Sequence, residues 1–186
     1  MKLKFLIPVT ILLLSYTSLF GQETRSVVAA QWEYFSHRGP FLETGFSYGT
    51  ILSDERQFIH DGPWFDVRLG HQDGIAGYQL QGSYFVSKVR GLDLTFHAFE
   101  IQIGPKILIP FSKHFGAFFD ILIGYGHLNN PSGTFLLNTN GFVTTFDGGL
   151  LYKPLKWMGI GPYTAFTGNI SGTFWFVSGL ILNFTL

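Results

Sequence analysis

Charged residues recur in mid-segment positions beside glycines and small polar groups: Glu43, Asp66, Arg68, Glu100, Lys106, Asp120, Asp147 and Lys153. Carboxylates held close together can do acid and base work or bind a cation. The same residues can instead form a closed network, because a charge removed from water must be paired. Carboxylates outnumber cations in this set, which predicts trapped water or a trapped proton inside such a network. The histidines, at 37, 60, 71, 97, 114 and 127, show no pair at metal-ligand spacing. A zinc site would need three of them to converge from distant segments, so no metal and no cofactor is expected. His127 and Ser132 share one polar stretch and are candidates for pairing a base with a nucleophile. Gly45 to Gly49 and Gly159-Ile160-Gly161 lack the Lys-Ser/Thr and the helix of a phosphate loop.

The elements that carry these residues repeat with period two. At the C-terminus Phe174, Phe176, Leu180, Leu182, Phe184 and Leu186 share one parity, opposite Gly179, Asn183 and Thr185, although Trp175, Val177 and Ile181 break the rule. Leu42, Phe46 and Tyr48 alternate with Glu43, Gly45 and Ser47 in the same way, as do Phe65, Val67 and Leu69 with Asp66, Arg68 and Gly70. Equivalent stretches run through Tyr78–Val86, Phe99–Ile109, Phe119–Tyr125 and Phe142–Tyr152. An irregular stretch near 157–166, with Gly159, Gly161 and Pro162, completes a count of eight strands. A parity change between Phe96 and Phe99 predicts a β-bulge at the outer end of its strand.

Composition decides which sheet this is. The chain of 186 residues is 46% hydrophobic and 18% aromatic but only 13% charged, with 23 glycines and no cysteine. Disulfides and thiol chemistry are excluded, and balanced charge leaves no basic field for nucleic acid. Mid-strand charges beside glycines suit a narrow lumen, and the large apolar parity suits lipid. Backbone groups in lipid must all be paired, so the sheet has to close. The expected fold is an all-β, eight-stranded antiparallel up-and-down transmembrane barrel over residues 41–186. Its interior is only wide enough for side chains to fill, which favours a packed network over a site or a pore.

Residues 1–21 carry Lys2 and Lys4, an uncharged run from Phe5 to Phe20, and Gly21. That is the pattern of a secretory signal peptide. At about 1.5 Å per residue the run falls short of a hydrocarbon core about 30 Å thick. Residues 22–40 predict a periplasmic lead-in or a short amphipathic helix, with Val27, Val28, Trp32, Tyr34 and Phe35 on its apolar side. Short links near 71–75, 111–116 and 153–157 oppose longer ones at 52–63, 127–141 and 167–172. An even strand count with that asymmetry places both termini in the periplasm and the barrel in the bacterial outer membrane.

In this pattern, and in the closing Leu180-x-Leu182-x-Phe184-x-Leu186, the chain resembles the small eight-stranded outer-membrane proteins of the OmpA-membrane-domain and OmpX kind. The resemblance implies outer-membrane lipid as surroundings and recognition of strand 180–186 by the barrel-assembly machinery. The resemblance is architectural; the role expected of a packed, non-catalytic barrel is structural, adhesive or accessory, with an envelope protein as its partner. Gly124 to Asn130 faintly resembles the outer-membrane lipid A deacylases, but Asn129 stands where their serine would follow His127. The lipid A palmitoyltransferases are similar in length, yet Ser53-Asp54 reverses their acid–serine order and Ser87-Lys88 lacks the acid. A lipid-modifying enzyme and a narrow pore are therefore the alternatives to the non-catalytic reading.

Overall fold

The computed structural model describes residues 34–35, 38–129, 140–169 and 172–186. The strands are β1 (Arg38–Ile51), β2 (Gly62–Asp73), β3 (Ala76–Lys88), β4 (Thr95–Pro110), β5 (Phe115–Asn129), β6 (Asn140–Leu155), β7 (Met158–Asn169) and β8 (Phe174–Thr185). Each pairs antiparallel with the next and β8 returns to β1, closing an eight-stranded up-and-down barrel. Closure leaves no edge strand, so every long apolar row can face outward without exposing unpaired backbone. The 1–21 segment and most of 22–40 lie outside the described residues; β1 begins at Arg38, before residue 41.

Alternation is nearly unbroken. In β2 the burial pattern switches at every residue from Gly62 to Arg68. The outward rows are large and exposed, among them Phe46, Val67, Leu69, Ile101, Ile103, Ile121, Phe146 and Leu180. So much contiguous apolar surface is the mark of an interaction with lipid or protein. The connections fall into two sets. Residues 74–75, 111–114 and 156–157 make tight turns at one end, where the two chain ends of the barrel also meet through Leu186 N donating to Pro40 O. Gly74, with φ of +68°, opens the β2–β3 turn in a conformation that a side chain would resist. At the other end a longer connection, 52–61, carries a short 3-10 turn and is tied to the 89–94 connection by the Ile59–Val89 bridge.

The expected bulge in β4 is absent. β3 and β4 stay in one register from Ala76↔Ile107 to Lys88↔Thr95. Phe96 keeps the inward parity and is buried, so the parity change was an apolar residue entering the lumen rather than an extra residue in the strand. The register does shift elsewhere, between Tyr152 and Leu155 against β7.

The lumen is layered. At the loop end Ile51, Trp64, Phe85, Phe96, Trp175 and Val177 pack into an apolar plug. Trp64 lies 5.7 Å from Phe85 and 6.2 Å from Trp175, ring centre to ring centre. At the turn end Phe41, Leu108, Phe118 and Leu151 are buried together with Phe35, which precedes the first strand. Charged and amide side chains fill the middle.

Candidate functional site

All eight charged residues named from the sequence are buried. Their clustering follows from register. Glu43 and Arg68 are cross-strand partners, as are Lys106 and Asp120, and Asp120 and Asp147. Arg68 stands at the centre. Its Nε donates to Asp66 Oδ1 at 2.8 Å, and its Nη1 lies 3.0 Å from both Asp120 Oδ2 and Asp147 Oδ2. Tyr163 places its ring 5.2 Å from the guanidinium, while its hydroxyl donates to Asp66 and shares a hydrogen bond with Ser47 at 3.0 Å. Gly45 makes the arrangement possible, since a Cβ there would fall 2.3 Å from Asp66 Oδ2.

Lys106 continues the network toward the turn end. Its Nζ donates to Glu43 Oε2 at 2.9 Å and to Asp120 Oδ2 at 3.5 Å, and sits 4.4 Å from the Phe118 ring centre. Asn183 Nδ2 occupies the other Glu43 oxygen at 2.8 Å. These contacts join Glu43, Asp66, Arg68, Lys106, Asp120 and Asp147 into one cluster held by β1, β2, β4, β5 and β6.

Two of the named residues stand apart. Glu100 has no cation in reach among the described residues; it accepts from Gln102 Nε2 at 2.9 Å. Lys153 has no carboxylate partner there either. Its Nζ donates to Phe35 O at 2.8 Å and lies 5.1 Å from the Phe35 ring centre. The lead-in residue Phe35 is thereby fastened into the turn-end mouth, with Gly116 leaving room for its ring. Tyr34 beside it makes an edge contact to His114 at 5.1 Å and lies under Lys113 at 4.9 Å.

Tyr163 is the cluster member that the sequence reading passed over, because Pro162 and two glycines obscured the parity of β7. The inward series Gly161, Tyr163, Ala165 and Thr167 carries the signal. Gln79, Gln81, Gln102 and Asn183 line the same interior. A void of about 10 Å³ among Gln81, Thr145, Tyr163 and Thr167 is the size of a single water site.

The rim residues do not assemble a catalytic pair among the described residues. His127 lies on β5 rather than in a loop, exposed, with Nδ1 hydrogen-bonded to Asn140 Oδ1 on β6. Ser132 lies outside the described residues. Ser87 Oγ donates to His60 O, and Ser53 Oγ accepts from Phe174 N. His97 stacks on Tyr84, and His71 on Tyr78. His114 Nδ1 is bonded to Lys153 O at 2.8 Å, and no metal-holding cluster of His, Asp or Glu occurs among the described residues.

This architecture is that of known outer-membrane barrels. Neisserial surface protein A (NspA) superposes with a TM-score of 0.64 and 8% identity, over 80% of this chain and 97% of that one. The outer membrane protein OprG from Pseudomonas aeruginosa gives 0.56 and 9%, over 82% and 99%. The N-terminal β-barrel domain of Pseudomonas aeruginosa OprF gives 0.54 and 9%, over 79% and 98%. No protein-family model matches the chain, and no curated protein sequence matches it. At such identities the likeness is one of fold.

Proposed function

We propose that this chain is an exported, non-catalytic barrel of the bacterial outer membrane, serving as a structural or adhesive element or as an accessory subunit of an envelope complex. The observation that carries the reading is a lumen filled from end to end. Trp64, Phe85, Phe96 and Trp175 close the loop end, an ion-paired cluster fills the middle, and Phe35 with Phe41 and Phe118 closes the turn end. A filled lumen offers neither a substrate cleft nor a water column, so activity belongs to the outer surface and to the loops.

The exposed apolar wall supports lipid as its surroundings. The tight turns and both barrel termini share one end, which the reading assigns to the periplasm. Residues 1–21 act as the export signal in this account, and the exposed alternation of strand 180–186 presents the assembly machinery with its recognition element. An envelope protein is the remaining partner, reached through the loop end.

The test is mass spectrometry of lipid A and phospholipids from cells lacking and overproducing the chain, joined to bilayer recordings of the purified barrel. Unchanged lipids and no unitary conductance are expected. An acyl chain gained or lost with the gene would replace the reading with an enzyme acting near His127 and Ser132. Stepwise conductance would replace it with a pore.

A further inference from the structure

The two ends of the barrel settle their charges differently. At the loop end Arg56, Lys88 and Arg90 stand among Asp54, Asp61 and Asp93, and Lys88 Nζ lies 3.6 Å from Asp93 Oδ1. At the turn end the only exposed acidic side chain among the described residues is Asp73, and Arg38 pairs with it at 3.1 Å. Lys153 donates to Phe35 O. Lys113 and Lys156, both exposed, are left with no carboxylate partner among the described residues.

These two cations are gathered rather than scattered. Lys113 lies in the β4–β5 turn and Lys156 in the β6–β7 turn, and the pairing of β5 with β6 sets the two turns side by side. They are tied to each other: Lys153 N donates to His114 O at 2.8 Å, and His114 Nδ1 is bonded to Lys153 O at 2.8 Å. Tyr34 stands between them. Lys113 Nζ lies 4.9 Å and Lys156 Nζ 5.5 Å from its ring centre, and its ring meets His114 edge-on at 5.1 Å. The neighbouring Phe35, buried in the mouth, fixes Tyr34 in this place. A phenol ring attracts an ammonium through its quadrupole but carries no net charge. Two ammoniums on one ring therefore still repel each other, and an anion between them turns that repulsion into attraction.

Resting on the outer-membrane reading above, we propose that Lys113 and Lys156, gathered on Tyr34, bind the phosphate of an anionic phospholipid headgroup at the turn end of the barrel. The patch lies at the rim of the lipid-facing wall. Phe111, Phe115, Tyr152 and Trp157 are exposed beside it, and the rings of Phe115 and Tyr152 are 4.7 Å apart. Aromatic side chains at a strand end mark the level of the headgroups. Lysine stems lie along such apolar surface and carry the ammonium out to the phosphates. A soluble acidic partner would have no use for that aromatic rim. The Arg38–Asp73 flank, already neutral, confines the site to the side of β4–β7.

The experiment uses the full chain, inserted into vesicles of equimolar phosphatidylglycerol and phosphatidylcholine, re-extracted in mild detergent and weighed by native mass spectrometry. Wild type should retain phosphatidylglycerol over phosphatidylcholine by at least about tenfold. The double variant Lys113→Gln, Lys156→Gln should lose that preference, whereas Arg38→Gln should keep it. Raising salt from about 0.05 M to about 0.5 M should remove most of the wild-type preference without any substitution. Equal retention of the two lipids by wild type, or an unchanged preference in the double variant, overturns the site while leaving the barrel in its membrane. Displacement of the lipid by inorganic phosphate, but not by chloride at equal ionic strength, overturns it in favour of a free anion. Failure of wild type to enter vesicles overturns the membrane reading and the site together.

Discussion

The middle of the lumen and its loop end are lined by the same parity of the same strands, yet they are filled by opposite chemistry. β2 alone supplies Trp64 to the plug and Asp66 and Arg68 to the charged cluster. The plug holds by shape: aromatic rings at 5.7–6.2 Å fill the bore by contact. The cluster holds by pairing, and every cation removed from it strands a charge. A barrel of this width can be closed by either solution, and the two should fail differently under mutation.

Arg68 offers the sharpest way to break the charged side. Arg68→Met leaves Asp66, Asp120 and Asp147 facing one another and should cost about 3–5 kcal/mol in denaturant unfolding of the lipid-inserted barrel. Adding Asp120→Asn and Asp147→Asn to the same variant should restore most of the loss. If the triple variant is no better than the single one, the loss came from packing rather than from stranded charge.

The plug is tested by Trp175→Ala, which opens a cavity against Trp64 and should cost about 3 kcal/mol. Neutralising carboxylates should not rescue it, and a rescue of that kind would erase the distinction between the two regions. Tyr163→Phe comes next. It removes the hydroxyl from Asp66 and Ser47 and should cost about 2 kcal/mol, read from the same unfolding midpoint.

Glu100→Gln should change stability by no more than about 1 kcal/mol, and toward greater stability if it moves at all. Glu100 is buried like the cluster carboxylates but has no cation partner among the described residues, and accepts from Gln102. A loss as large as that of Arg68→Met would mean that Glu100 belongs to the network after all.

Much of the architecture was legible because alternation is a local property. The large residues of one parity, from Phe46 through Leu182, mark the outer wall, and Glu43, Asp66, Arg68 and Asp120 mark the inner one. What misled was the assumption that one parity has one chemistry. Trp175, Val177 and Ile181 look like noise in an alternating strand but face the lumen, the first two in the plug and Ile181 at the level of Asp66. Phe96 looks like a bulge for the same reason. The candidate rim chemistry was legible only as an absence of the serine after His127; its pairing with Asn140 across β5 and β6 was not.

The sequence by itself determined the strand count, the closed all-β fold and the set of charges that would share an interior, because side-chain period and residue size act within a single strand. Only the tertiary structure decided which of those charges meet. Arg68 reaches three carboxylates while Glu100 and Lys153 reach none of the opposite sign among the described residues. It also decided that Phe35 seals the mouth and that Lys113 and Lys156 meet over Tyr34. Those relations depend on the stagger between neighbouring strands, and stagger is set when the whole barrel closes.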